Sequence, residues 1–149
     1  MPNGSQPLQS PTVSIVERVP TVEEYLRAIT AVGWRRREQR AVELALSNSL
    51  YAVCAQADDQ TVGFGRVIGD GGLHLYLTDV VVVPEYQGRG IGSRIVAALT
   101  RFVEAMPYRN LIVGVMPTPG LQRFYERHGY KAQPPHSPAM SKWINRSDE

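Results

Sequence analysis

The segment that most restricts this chain is a valine run, a glycine-rich turn and an amphipathic helix in direct succession. Val80, Val81, Val82 and Val83 lead through Pro84, Glu85 and Tyr86 to Gln87-Gly88-Arg89-Gly90-Ile91-Gly92-Ser93. Beyond the turn, Ile91, Ile95, Val96, Leu99, Phe102 and Val103 repeat at helical spacing and predict a helix over 91–105 with one apolar stripe. Strand, glycine turn and helix start together make a phosphate-binding device. Glycine lets the backbone approach a ligand closely, successive N–H groups converge, and the helix dipole favours negative charge. Three readings fit such a turn. A nucleotide P-loop needs a Lys-Ser/Thr pair after its second glycine, which is missing here. A dinucleotide turn beginning at Gly88 and Gly90 puts Ser93 at its third glycine, and the acidic residue wanted about 20 residues later is absent from 111–116. A tight turn without a ligand is the third.

The rest of the chain builds an α/β (α+β) domain around that segment. Alternation predicts a strand over 13–19, stopped by Pro20. Thr21 with Glu24 three residues on is a capping box, and it opens a helix with Val22, Tyr25, Leu26 and Ile29 on one face. After Gly33 a second helix is expected over 36–47, carrying Val42, Leu44, Ala45 and Leu46. Strands at 51–57 and 61–68 form a hairpin about Asp58-Asp59-Gln60. The turn Gly69-Asp70-Gly71-Gly72 then leads to the longest strand, 73–83. Its second half loses alternation, which predicts burial on both faces. A short buried strand at 111–116 and a helix at 118–128 follow, with Thr118 as N-cap, Pro119 at its first position and Gly129 at its close. The tail from Tyr130 is strand-like but interrupted by Pro134, Pro135 and Pro138, with Met140, Trp143 and Ile144 expected to pack. The sheet is therefore mixed: antiparallel hairpins first, then a crossover through the 91–105 helix to a parallel strand.

Bulk properties narrow the function. A chain of 149 residues suits one domain, read as 12–146 after a Pro/Gly/Ser-rich, disordered lead-in at 1–11. A formal charge of +2 is too small to argue for nucleic acid. No run reaches the ~18 apolar residues of a membrane span. A single cysteine, Cys54, excludes an intrachain disulfide and favours the cytoplasm. Its apolar surroundings read as a small buried side chain rather than a nucleophile.

Gln87-x-x-Gly90-x-Gly92 resembles the Gln/Arg-x-x-Gly-x-Gly/Ala signature of the GNAT superfamily of N-acetyltransferases. The valine strand with Pro84 and Tyr86, and Phe124-Tyr125-Glu126-Arg127-His128-Gly129-Tyr130 later on, are similar to that family's second conserved block. The likeness covers about 62–130 and is weaker before it. It implies a mostly antiparallel twisted sheet of six to seven strands with about four helices, splayed between 73–83 and 111–116. It also implies acetyl-CoA as co-substrate and no metal. Backbone amides of Gln87, Gly88, Arg89, Gly90, Ile91, Gly92 and Ser93 would hold the pyrophosphate, with Arg89 a side-chain phosphate contact. Val81, Val82 and Val83 would pair with the pantetheine amides. Thr118 stands where many relatives carry a cofactor-touching Asn, and that departure puts one contact in doubt.

The resemblance further implies direct attack by an amine in a ternary complex, with Tyr125 protonating the departing thiolate. A phenol of ordinary pKa near ~10 suits that task; a core tyrosine is the alternative. Tyr76 falls where several relatives carry a Glu or His base, and Thr78 shares its strand face. Asp79 lies on the other face by alternation, in a segment similar to that of glucosamine-phosphate acetyltransferases, and reads equally as a buried, hydrogen-bonded carboxylate. His74 reads as a surface histidine. The acceptor pocket is expected from Trp34, Arg35, Tyr51, Arg66 and Tyr76, where rings stack on an amine and a guanidinium holds an anionic group. Arg35-Arg36-Arg37 reads otherwise as a solvated helix start. The expected partner is a small-molecule amine, without nucleic acid or membrane, and a homodimer is compatible. A protein lysine or N-terminus as acceptor, and a non-catalytic acyl-CoA sensor, are the competing readings.

Overall fold

A computed structural model of the chain describes residues 10–144. The chain divides into two compact units, Met1–Met116 and Pro117–Glu149. The expected lead-in at 1–11 and the end of the expected domain at 146 fall largely outside the described residues.

The first unit opens with β1 (Val13–Glu17), α1 (Val22–Ala31) and α2 (Gln39–Ser47), followed by β2 (Tyr51–Ala57), β3 (Gln60–Gly69) and β4 (His74–Val82). A short 3-10 turn (Pro84–Tyr86), α3 (Ile91–Glu104) and β5 (Ile112–Val115) complete it. The sheet order is β1-β2-β3-β4-β5. The first three pairings are antiparallel and β4–β5 is parallel, with α3 as the crossover. Five strands stand among the described residues where six to seven were expected. The difference is the tail: its prolines remove ladder donors, and no strand forms there among the described residues.

The capping box at α1 is present in both directions. Glu24 N–H donates to Thr21 Oγ1 at 3.1 Å and Thr21 N–H to Glu24 Oε2 at 2.8 Å. Arg18 adds two bonds to the same carboxylate and one to Thr61 Oγ1; β1 ends at Glu17 rather than running to Val19. Tyr25, Ala28 and Ile29 are the buried residues of α1, and Tyr25 stacks on Phe64 with ring centroids 5.5 Å apart. Helix α2 starts at Gln39, later than expected; Val42 and Leu46 are buried, whereas Leu44 is 67% exposed.

On the opposite face, α3 lies close against β3 because β3 presents glycines there. A Cβ at Gly65 would stand 2.7 Å from Ile95 Cγ2 and 2.9 Å from Leu99 Cδ1. The α3 stripe expected from the sequence is confirmed: Ile91, Ile95, Val96, Leu99 and Val103 are buried, and Phe102 stacks on Tyr51. β5 is the last strand of the sheet among the described residues, exposed at Ile112 and half-buried from Val113 to Val115 rather than fully buried. Among the described residues no helix is long and apolar enough to cross a membrane.

In the second unit, α4 (Gln122–Glu126) is shorter than the helix expected from Thr118. Leu121 N–H bonds Thr118 O, closing a turn with Gly120 at φ +89°, so Thr118 does not cap the helix. The far end matches expectation. Gly129 sits at φ +90°, its N–H reaches Glu126 O, and Tyr130 N–H reaches Tyr125 O, which is a Schellman closure. Met140 is 90% and Trp143 59% exposed, so the tail does not bury them as expected.

Candidate active site

The glycine turn stands between the short 3-10 turn and the start of α3, where its sequence suggested. Gly88 and Gly90 stand at φ +74° and +77°, and a Cβ at either would meet nothing within 4 Å. The glycines thus serve the backbone conformation, and space is left open above the turn. Gly90 is the N-cap of α3. The helix ladder begins with Arg94 N–H on Gly90 O at 3.1 Å, so the amides of Ile91 and Gly92 lie before its first bond. The first turn of α3 carries no acidic residue. Donors, dipole and open approach suit a diphosphate group. Arg89 lies over the Tyr86 ring, 4.8 Å from its centroid, and bonds Glu85 O. Gln87 ties the turn to the strand: its Nε2 donates to Val82 O at 2.9 Å.

Beside the turn, β4 runs on past the end of β5. Their pairing runs from His74↔Ile112 to Leu77↔Val115, while β4 continues to Val82. Past Leu77 the β4 edge therefore has no strand beside it among the described residues, at the place where the splay was expected. Val83 N–H bonds Val62 O, on the β3 side. Since alternate residues turn their N–H and C=O groups to opposite edges, Val80 and Val82 face the open edge and Val81 and Val83 face β3. Of the three expected pantetheine partners only Val82 keeps that geometry, and Val80 joins it.

A bulge causes this change. Between β3 and β4, Phe64 pairs with Val81 and Arg66 with Thr78, so two steps on β3 span three on β4. The extra residue is Asp79, at φ +52°. The bulge brings its carboxylate to the same face as Thr78 and Tyr76, not the other face as strict alternation predicts. There Asp79 Oδ2 accepts from Arg66 Nε at 2.9 Å and Nη2 at 2.6 Å. Arg66 Nη1 meanwhile bonds Ala45 O and Ser49 Oγ, both at 2.9 Å. The two side chains are 6% and 12% exposed. Arg66 is thus engaged inside the fold rather than presented to an acceptor, and Asp79 is committed to a guanidinium.

Tyr76 lies one step before the last paired step of the two strands, opposite Gly114. Its ring covers Gly114, where a Cβ would be 2.9 Å from Cδ2, and the Met116 amide sits at its hydroxyl. Burial raises its pKa, against the opposing pull of that amide, so it is no base at neutral pH. Tyr51 is separated from the other expected pocket residues by the sheet. It stacks on Phe102 at 4.3 Å on the α3 face and donates to Glu17 at 2.5 Å, its pKa pushed up to about 12 by burial and that carboxylate. Trp34 is half-buried and Arg35 exposed in the α1–α2 connection, on the side where α1 packs. His74 is exposed at the start of β4. Cys54 is fully buried, and burial pushes its thiol up to about 11, away from nucleophilic use. In the second unit, Tyr125 is buried among aromatic rings, edge-on to Phe124 at 5.0 Å and Tyr130 at 6.1 Å.

Comparison with known proteins bears on the family and the fold. A family model described as an acetyltransferase (GNAT) domain matches residues 23–145. An uncharacterized N-acetyltransferase ycf52-like of Prochlorococcus marinus is 30% identical over 115 residues, covering 74% of this chain and 63% of the relative. The chain thus spans about three fifths of the length of the curated relatives it matches first. A probable acetyltransferase of unknown function from meticillin-resistant Staphylococcus aureus superposes with TM-score 0.83 at 27% identity, covering 89% of this chain and all of that one. A GNAT family acetyltransferase of Streptococcus pneumoniae superposes with TM-score 0.71 at 31% identity, covering 91% and 100%. With a glycine turn at a helix start, an open strand edge beside it, and a family model over most of its length, the chain belongs to the GNAT acetyltransferase family.

Proposed function

We propose that this chain transfers the acetyl group of acetyl-CoA to a primary amine of a small molecule in a ternary complex. The observation that carries the reading is the adjacency of two features: the left-handed Gly88 and Gly90 turn at the α3 start, and the open β4 edge beyond Leu77. The turn amides and helix dipole would hold the diphosphate. Val80 and Val82 would meet the pantetheine amides along the open edge. The amine nitrogen would attack the thioester carbon and the C–S bond would break; the family resemblance assigns Tyr125 Oη as the proton donor to the sulfur, the amine giving a proton to solvent and the phenol regaining one from it. With Asp79 paired and the Tyr76 phenol raised, the amine enters as its neutral fraction, without either side chain as base.

The experiment is thiol release from acetyl-CoA against a panel of amines, polyamines, antibiotics and peptides, with calorimetry of CoA in parallel. A small amine as the best acceptor supports the reading; a peptide as best acceptor, or CoA binding with no turnover, replaces it. Tyr125→Phe should lower kcat ten- to a hundredfold, within the range of general acid–base catalysis, with CoA affinity nearly unchanged. Normal turnover in that variant removes Tyr125 from the mechanism.

A further inference from the structure

Asp79 occupies a costly place. It is a non-glycine residue in the left-handed region, and its carboxylate is largely buried. Its partner Arg66 reaches it from the neighbouring strand with two nitrogens and holds Ala45 O and Ser49 Oγ with the third. One guanidinium therefore links β3, the end of α2, the α2–β2 connection and the β4 bulge.

We propose that the Arg66–Asp79 ion pair is a positioning element that selects the bulged register of β4 and so decides which amides face the open edge. Hydrogen bonds at the two ends of β4 show the parity change. Before the bulge, Leu73 O accepts from Ile112 on the β5 side, and His74 O accepts from Asp70 N–H in the β3–β4 turn. Odd residues there face β5. After the bulge, Val83 N–H goes to β3 and Val82 O takes Gln87 Nε2, so even residues face outward. In an unbulged strand, alternation would put Asp79 on the face of Gly65, Ile95 and Leu99, an apolar wall, and leave Arg66 buried without its carboxylate. It would also turn Val81 and Val83 outward in place of Val80 and Val82. The ion pair makes the first arrangement costly and the second favourable. Tyr25 closes the cluster from α1, its hydroxyl donating to Asp79, with burial and that carboxylate pushing its pKa up to about 12.

The role for cofactor binding rests on the acetyl-CoA reading above, whereas the register itself is measurable without any ligand. Amide hydrogen exchange by NMR on the unliganded protein should show Val81 and Val83 protected and Val80 and Val82 exchanging fast. CoA addition should then protect Val80 and Val82. Asp79→Asn keeps a side chain that tolerates the left-handed region and accepts a bond from Arg66 but removes the counter-charge; Val81 and Val83 should lose part of their protection and the CoA Kd should rise about threefold, with kcat little changed. Arg66→Met combined with Asp79→Val removes the pair and disfavours the bulge. That double variant should lose the alternating pattern and bind CoA at least tenfold more weakly while retaining a cooperative melt. If it does not fold, Arg66→Lys, with one nitrogen in place of two on Oδ2, should weaken CoA three- to tenfold. Wild-type pattern and affinity in whichever of these folds overturns the proposal. So does an Asp79→Asn variant that loses kcat a hundredfold together with the acid limb of its pH–rate profile, since Asp79 is then the base itself. Absence of CoA binding in wild type, with the exchange pattern intact, sinks the acetyl-CoA reading and leaves the register assignment standing.

Discussion

Gly65→Ala tests how closely α3 is seated on the sheet. The added methyl would stand 2.7 Å from Ile95 Cγ2, 2.9 Å from Leu99 Cδ1 and 3.3 Å from Val80 Cγ2. Ile95 and Leu99 are fully buried, so neither can withdraw into solvent. Overpacking of this kind costs about 1–3 kcal/mol. Alanine also restricts the unfolded chain, an offset of about 0.4–1 kcal/mol where the backbone accepts it, and Gly65 does not occupy the left-handed region. The net loss should be about 1.5 kcal/mol, or about 3–6 °C in Tm for a domain of this size. Urea unfolding followed by circular dichroism should show the midpoint falling at unchanged slope. Gly63→Ala should cost more, because its nearest obstacle is the Val81 carbonyl oxygen at 2.7 Å, a backbone atom inside the ladder. A Gly65→Ala protein as stable as wild type would refute the reasoning, for it would mean the α3 seam gives way freely.

Gly90→Ala should behave differently, since its Cβ meets nothing. The cost of about 1–2 kcal/mol comes from the left-handed backbone alone, and calorimetry should show weaker CoA binding in step with the stability loss. Glu24 is held down at about 2 from an ordinary value near 4.5, chiefly by its hydrogen bonds from Arg18. A depressed folded-state pKa gives stability present above about pH 4.5 and lost as pH falls toward 2; Tm should drop across that window, and Glu24→Gln should flatten the drop while lowering Tm at pH 7. Gly114→Ala should displace the Tyr76 ring, whose atoms lie 2.9 and 3.2 Å from the new methyl; the acetyl-CoA KM should rise severalfold, and an unchanged KM would show the ring moves aside without disturbing the open β4 edge.

Local chemistry was legible in the sequence wherever a motif acts through neighbouring residues. The Thr21–Glu24 box, the Gly88 and Gly90 turn, the α3 stripe and the Gly129 closure are each settled within a few residues by hydrogen bonds and allowed dihedrals. The parallel β4–β5 pairing followed from the helix between the two strands. Readings that leaned on uninterrupted patterns fared worse. A helix drawn from Thr118 missed the turn before Leu121, where Gly120 takes a positive φ, and one drawn from Arg36 began three residues ahead of α2 at Gln39.

Decisions that depended on partners distant in sequence came only from the tertiary structure. Period-two alternation put Asp79 on the wrong face because nothing near it announces a bulge; the reason for the bulge is Arg66, on another strand. The same guanidinium, read as an anchor for an acceptor, is consumed by Asp79, Ala45 and Ser49. Tyr51 and Trp34, grouped by sequence logic, are parted by the sheet. The sequence by itself determined where a phosphate device could form, because its parts are adjacent in the chain. Which strand amides stand beside it was left to a buried ion pair across the sheet, since a charge away from water accepts only the register that brings its counter-charge within reach.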